Sequence, residues 1–450
     1  MLACYLENIK QLNKRTKMIT INLYFKQAWQ LMKQNRFFSA VYIIGTGLAI
    51  SMVMVLAVVY YIRTANIAPE IHRDRMAYMD QISYVYNEGN STWNSGLGIR
   101  FVKEVMQTLK TPEAIVITTM PVFQFFQGQE MFASVPGIDM QPKIMYMGCN
   151  SAFWQVYDFH FLYGKPFTES DFESGVRTVV LCRSMARQFF GKEDVIGQTI
   201  QLNEVEYRIC GVVEDVSGTL EDTYAQVWIP YTSMSSLANE SVSEREVTVG
   251  KLQANILLRN KKDLPAVQAE LDQAVKRYNT TLAEGQIKDA IVRPAVFTIM
   301  GVSSSKAYGA IALFLLLFLL VPALNISGLN ASHIQDRMEE IGIRKAFGAP
   351  RSTLFIQIFI ENLLLMFPGS VAGLLFSYGL VALYKHILLV SNYQLMVTGL
   401  GETITLSVGM LMNWQVFLSA IVVCLVLNLL SSLVPVWNAI RSDIVNALNM

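Results

Sequence analysis

Few residues in this sequence have the types and spacings that catalysis requires. The four histidines, His72, His160, His333 and His386, stand apart from one another, whereas a zinc protease needs HExxH or a comparable cluster of ligands. They read as surface or interface residues. The phosphate-cradling loop GxxxxGK[ST] is absent, because the Gly-Lys pairs at 164, 191 and 250 are followed by Pro166, Glu193 and Leu252. There is no GxSxG nucleophile elbow. The five cysteines are widely and irregularly spaced, so no disulfide framework or metal motif is legible. Cys149, Cys182 and Cys210 either contain one bridge or are buried free thiols. The sequence therefore predicts no catalytic, cofactor-binding or metal-binding residue in this chain.

What remains is charge placed in apolar surroundings. Glu361 is the one residue charged at neutral pH between Ser352 and Tyr384, and a carboxylate in such a run is a functional candidate because removing it from water is costly. It follows Arg351 by ten residues, about 15 Å along a helix. Two readings stay open: it pairs with Asn325 or Asn362 inside a helix bundle, or it reaches back toward cytoplasmic water. A proton relay would use several such groups.

The densest candidate segment is HIQDRMEEIGIRKAFGAPRS, residues 333–352. Ile334, Met338 and Ile341 recur at helical spacing and predict an apolar stripe, with Glu340 and Arg344 one turn apart on the exposed side. Gly348 can close such a helix in the left-handed conformation, and Pro350 stops it. The segment is either a plain connector or a dock for a cytoplasmic partner. In the second reading the contact residues are Glu339, Glu340, Ile341, Gly342, Ile343, Arg344, Lys345 and Gly348.

The elements that must position these residues follow from composition. Of the 450 residues 52% are hydrophobic and 16% charged, with a net charge of +1; soluble domains carry about 25% charge. Residues 63–306 hold 23 basic and 28 acidic side chains, most of the chain's charge. An ordinary soluble enzyme and a disordered chain are excluded, and no nucleic-acid partner is expected. The uncharged stretches predict membrane spans at 37–62, 307–332, 353–385 and 413–438, each long enough to cross about 30 Å of hydrocarbon. The expected fold is an α-helical membrane protein with four transmembrane helices, and a large α+β extracytoplasmic domain of two subdomains (63–306) inserted between the first and second. Seven basic residues precede the first span against Glu7 alone, and Arg337, Arg344, Lys345 and Arg351 lie between the second and third. Both put the N and C termini in the cytoplasm. Residues 1–36 are then a cytoplasmic N-terminus with an interfacial helix, in which Met18 is an alternative start. Residues 333–352 form a cytoplasmic coupling segment, 386–412 a short external loop and 439–450 a cytoplasmic tail.

In the external domain, helix 99–110 precedes strand 114–119, and strand 254–259 precedes helix 264–278 and strand 290–297. The middle block predicts strand TVVLC, short helix SMARQFF, strand TIQL, a turn at Asn203-Glu204, and strands YRICGVV and QVWIP. Two sequence-distant α/β halves are expected to form one subdomain, with this block inserted as the second.

Taken together these segments resemble the MacB/FtsX-like permeases of ABC transporters. The resemblance is carried by Arg337, the run Glu340 to Ala346, Gly348-Ala349, Phe359 and Glu361. It is carried equally by GKPFTESD (164–171), TVVLCRSMARQFFG (178–191), DVIGQTIQLN (194–203) and YRICGVVED (207–215). The entry AWQLMKQNRFFSAVYIIGTGLAI (28–50) and the tail PVWNAIRSDIVNALN (435–449) are similar to the family's ends. Pro322 and Asn325 stand where the second span is often glycine-rich, Phe347 replaces an aliphatic residue, and Asn203-Glu204 replaces a glycine turn. The resemblance implies an FtsX-like region at about 307–443 in a stand-alone, non-enzymatic permease subunit of the plasma (inner) membrane. It implies a separate cytoplasmic ATPase that binds ATP and Mg, a second permease chain in a homodimer or heterodimer, and a periplasmic adaptor as a further partner. Export or extraction of an envelope-associated peptide, drug or lipoprotein is the expected function. The alternative is a non-transporting transmitter that regulates a periplasmic cell-wall hydrolase.

The topology predicts that a cysteine placed near Asn203 is labelled by a membrane-impermeant thiol reagent in intact spheroplasts, above the background of the native cysteines. Labelling confined to lysed cells would reverse the orientation.

Overall fold

The structure, a computed structural model, describes residues 36–86, 91–120, 130–138, 140–234, 243–295, 338–348 and 350–389, with single residues elsewhere. The predicted span 307–332 lies almost wholly, and 413–438 mostly, outside the described residues, as do Asn325 and Ile334. The chain forms two compact units, one of residues 1–61, 309–385 and 407–450, the other of 62–308 and 386–406.

Helix α1 (Arg36–Thr64) has no charge between Arg36 and Arg63. Its stretch Ser39–Thr64 is long and apolar enough to cross a membrane. Beyond it the chain enters a mixed, mainly antiparallel sheet of sixteen strands among the described residues. β1 (Met76–Met79), β2 (Ile82–Tyr86) and β3 (Ser91–Leu97) lead to α2 (Ile99–Glu104) and β4 (Ala114–Thr119). The helix predicted over 99–110 is shorter than expected. It ends at Val105, with φ −115° and ψ −61°, and continues as a 3-10 turn at Met106–Thr108. Phe101, Val102, Val105 and Met106 are all fully buried, so the apolar spacing serves two short turns rather than one helix.

The middle block holds β5 (Met131–Ser134), β6 (Lys143–Ile144), β7 (Tyr146–Cys149), α3 (Ala152–Val156), β8 (Phe161–Gly164) and α4 (Glu169–Glu173). It continues with β9 (Thr178–Cys182), α5 (Arg183–Phe190), β10 (Thr199–Leu202), β11 (Val205–Val213) and β12 (Val227–Pro230). The motif GKPFTESD supplies the reciprocal cap of α4, in which Thr168 and Asp171 satisfy each other's backbone N–H groups. Asn203 and Glu204 take φ of 47° and 66°, the left-handed values of a two-residue hairpin turn. The Asn203 amide also accepts from Phe132 N and donates to Glu130 O, both at 2.8 Å. This lateral grip, which glycine lacks, accounts for asparagine at the turn.

The chain returns through α6 (Glu244–Thr248), β13 (Val249–Gly250), β14 (Leu252–Leu257), α7 (Leu264–Asn279), β15 (Gly285–Ala290) and β16 (Arg293–Pro294). β14 lies between β1 and β4, antiparallel to both, so strands from the two ends of the domain share one region. The single strand expected over 290–297 is instead two. The α7 side chain of Gln268 donates to Ala290 O and accepts from Val292 N, each at 2.8 Å, and so occupies the backbone groups a continuous ladder would use. The strands of the middle block join this region through one register pair, Thr118↔Cys149. Around it Asn150 accepts from Ile117 N and donates to Ile115 O, and Thr119 Oγ1 accepts from Gly148 N.

After the domain come α8 (Met338–Ala346) and α9 (Arg351–Leu388). α9 contains a second stretch of membrane-spanning character, Met366–Lys385. It runs through Pro368 and Gly369 without a break and departs from helical geometry at Tyr384. In the first unit, α1 and α9 pack through glycines. Gly369 and Gly373, one turn apart, meet Thr46 and Gly47: a Cβ on Gly369 would lie 2.3 Å from Thr46 Oγ1, and one on Gly373 2.5 Å from Gly47 O. The Thr46 hydroxyl is satisfied by Tyr42 O at 2.7 Å. Between two apolar helices in lipid no water is expelled, so close van der Waals approach has to supply the attraction.

Gly373→Val is accordingly expected to destabilise the full chain by roughly 1–3 kcal/mol, the usual cost of overpacking, read as a lowered melting temperature in detergent. Gly379→Val, where an added Cβ meets nothing within 4 Å, should leave it nearly unchanged.

Candidate functional site

The charged segment singled out by sequence folds into α8 and a short corner. Phe347 N donates to Ile343 O at 3.1 Å, adding one residue to the helical pattern, and Gly348 then turns the chain with φ +84°. Pro350 O accepts from Thr353 N at 3.0 Å and opens α9. Proline suits this place, since the N–H it lacks would have no partner in a first turn. Glu339, Glu340, Ile341, Gly342, Ile343, Arg344 and Lys345 thus share one helix, with Gly348 as its stop. The side chains of Glu339, Glu340, Ile341 and Lys345 lie outside the described residues, as does that of Glu361. Glu361 is on α9, N-terminal to the membrane-spanning stretch Met366–Lys385.

Two apolar pairs at i, i+4 spacing organise α8. Met338 and Gly342 are buried, while Ile343 and Phe347 are exposed, Phe347 at 89%. The predicted apolar stripe through Met338 is therefore accompanied by a second apolar pair, which joins Ile343, already among the expected contact residues, to Phe347, which was not. Its signal was present in the spacing and in the aromatic residue at a usually aliphatic position. A phenylalanine left almost wholly in the open forgoes the stabilisation of burial, on the order of 2 kcal/mol, and exposed apolar groups rimmed by charge mark contact surfaces. Arg344, half-buried beside them, supplies that charge.

The domain of residues 62–308 offers no activated nucleophile among its described cysteines. Cys149, Cys182 and Cys210 are free thiols, the first two buried. Burial pushes Cys149 well up, and Cys182 and Cys210 up to about 12, so they stay protonated at neutral pH. His160 is exposed, 3.5 Å from the Glu214 carboxylate. Among the described residues no three His, Cys, Asp or Glu side chains converge as metal ligands.

Two families match nearly end to end. The MacB-like periplasmic core domain matches residues 39–274 and the FtsX-like permease C-terminal region residues 312–444. The chain is 24% identical to the ABC transporter permease YknZ of Bacillus subtilis, over 67% of this chain and 68% of that one. It is 23% identical to the pyoverdine export ATP-binding/permease protein PvdT of Pseudomonas syringae, over 79% of this chain and 51% of PvdT. To the macrolide export ATP-binding/permease protein MacB of Bdellovibrio bacteriovorus it is 24% identical, over 54% of this chain and 37% of MacB. It thus spans about half or less of the length of these last two. Among solved structures, the extracellular domain of YknZ is similar to 47% of this chain and 100% of its own length, with 15% identity and a TM-score of 0.32. The periplasmic region of MacB from Actinobacillus actinomycetemcomitans is similar over 51% and 92%, with 14% identity and a TM-score of 0.35.

Valine at Gly348 would have to hold a left-handed φ at a cost of about 1–2 kcal/mol. Gly348→Val should therefore fray the corner and speed tryptic cleavage after Lys345 and Arg351 several-fold, whereas Gly348→Asn, which tolerates that φ, should be cut at nearly the wild-type rate.

Proposed function

This chain belongs to the MacB/FtsX-like family of ABC transporter permeases, and we propose that it couples ATP hydrolysis on a separate cytoplasmic ATPase to movement of its own extracytoplasmic domain. The family is membrane-integral. In this reading the protein crosses the membrane four times with both termini in the cytoplasm, and pairs with a second permease chain. The moving domain exports or extracts an envelope-associated peptide, drug or lipoprotein, with a periplasmic adaptor as a further partner. In this reading ATP and its Mg belong to the partner ATPase, and this chain has a coupling role.

The observation that carries the reading is the exposed apolar pair Ile343 and Phe347 on a charged helix, α8, stopped by Gly348 just before α9 begins. A short, capped helix can transmit a push without bending, and its open apolar pair gives a partner's groove something to hold. Glu340, Arg344 and their neighbours set the register of that contact through charge, which governs specificity more than raw affinity. That relatives of this chain bear the names of export proteins supports transport over signalling.

Changing Glu340 and Arg344 together to alanine should abolish co-purification of the cognate ATPase while membrane insertion is preserved, and Phe347→Ser should weaken co-purification at least ten-fold. ATPase binding retained by the double variant would overturn the coupling role of α8.

A further inference from the structure

The segment that follows α1 contains a buried charge cluster that none of the coupling residues above explains. α1 runs unbroken to Thr64, and its last residues, from Ile62 on, belong to the same compact unit as the extracytoplasmic domain. Arg73, 5% exposed, turns back on this end: its Nη1 donates to Ile62 O at 2.8 Å and to Ala65 O at 3.4 Å. A terminal helical carbonyl has no partner within its helix, so the guanidinium acts as its cap. Arg73 Nε forms an ion pair with Glu70, which is 1% exposed. The other Glu70 oxygen accepts from Thr223 Oγ1 at 2.8 Å, and Thr223 O accepts from the indole N–H of Trp228 at 3.3 Å. Trp228 is fully buried in an aromatic cluster with Trp154 and Phe159. A continuous polar chain thus runs from the end of α1 to the core of the domain.

A second carboxylate sits beside the first. Asp222 accepts from the hydroxyl of Tyr78 on β1. It walls a cavity of about 50 Å3 with Glu70, Arg73, Arg63 at the end of α1, and Leu389, the first residue beyond α9. Arg63 and Leu389, which line this small cavity, belong to the same compact unit as Glu70, Arg73 and Asp222. Buried ion pairs are poor stabilisers compared with well-packed apolar groups, because the desolvation of each charge offsets their attraction. What they do supply is one preferred geometry.

We propose that Arg73, Glu70 and Asp222 are positioning residues of a joint that clamps the outer end of α1 to the extracytoplasmic domain, so that movement of the helix is delivered to the domain core rather than absorbed between them. The proposal rests on the permease reading only for what drives the helix. The groups facing Asp222 are Glu70 and Arg73 from the segment after α1, Tyr78 on β1, Tyr157 after α3, its neighbour Glu221, and Arg63 across the cavity. Burial, with Glu70 second, pushes the Asp222 carboxyl up to about 8. A carboxyl raised above its ordinary value stabilises the folded arrangement at low pH, and that contribution is lost as pH rises through the raised value. The contribution of Asp222 therefore declines from the ordinary carboxylate range upward and is fully lost by about pH 8.

The test uses the full chain in lipid nanodiscs, with native cysteines replaced by alanine and spin labels at Leu48 on α1 and Lys192 in the domain. The joint predicts a narrow distance distribution at pH 5, widened at least two-fold by Arg73→Gln and by pH 9.5. Asp222→Asn, which keeps the neutral shape, should stay narrow at both pH values. Unchanged width in Arg73→Gln, or widening of Asp222→Asn together with wild type at pH 9.5, would overturn the joint. The sample holds no ATPase, so these widths judge the joint alone, whereas failed co-purification bears on the proposed function.

Discussion

The cost of taking a charge out of water organises this protein. Each unpaired ion moved into an apolar interior costs several kcal/mol, so the spanning stretch of α1 carries no charge short of Arg63, and most of the chain's ionisable residues are gathered in one domain. The same penalty makes the exceptions informative. Arg73 and Glu70 are buried together and fully partnered, the condition under which buried charge is tolerated. Glu361 is the one charge between Arg351 and Lys385.

Where one solvent preference applies along a whole stretch, the fold is legible in sequence. α1 (Arg36–Thr64) and α9 (Arg351–Leu388) could be read from uncharged runs, β4 from its β-branched AIVITT, and α7 from its apolar spacing with Pro265 in the first turn. The Asn203-Glu204 turn was equally visible, because two short polar residues between alternating strands leave the backbone little choice. What escaped was decided by contacts distant in sequence. Gln268 interrupts the strand expected over 290–297 from a helix that precedes it, and no local pattern announces that bond. The break at Val105 is of the same kind, since burial of the same apolar residues is compatible with either a continuous helix or two turns.

The coupling segment was half legible. Its charges, glycine stop and proline start can be read directly, and they place Glu339 to Lys345 on one short helix. Phe347, the exposed partner of Ile343, was missed because periodicity identifies an apolar face but not whether anything covers it. Arg73 left no trace at all: an arginine nine residues beyond a membrane helix looks like an ordinary surface charge until the fold brings its guanidinium to Ile62 O.

The seam of the large sheet rests on particular side chains. Elsewhere its strands are joined by backbone ladders, which are nearly indifferent to side-chain identity. At Thr118↔Cys149 the ladder narrows to one pair, and the amide of Asn150 and the hydroxyl of Thr119 take over its role. Beyond that pair and the backbone bond from Asn150 N to Ile117 O, this junction is therefore encoded in residue identity. A substitution at Asn150 or Thr119 would loosen it while leaving the backbone ladders on either side untouched.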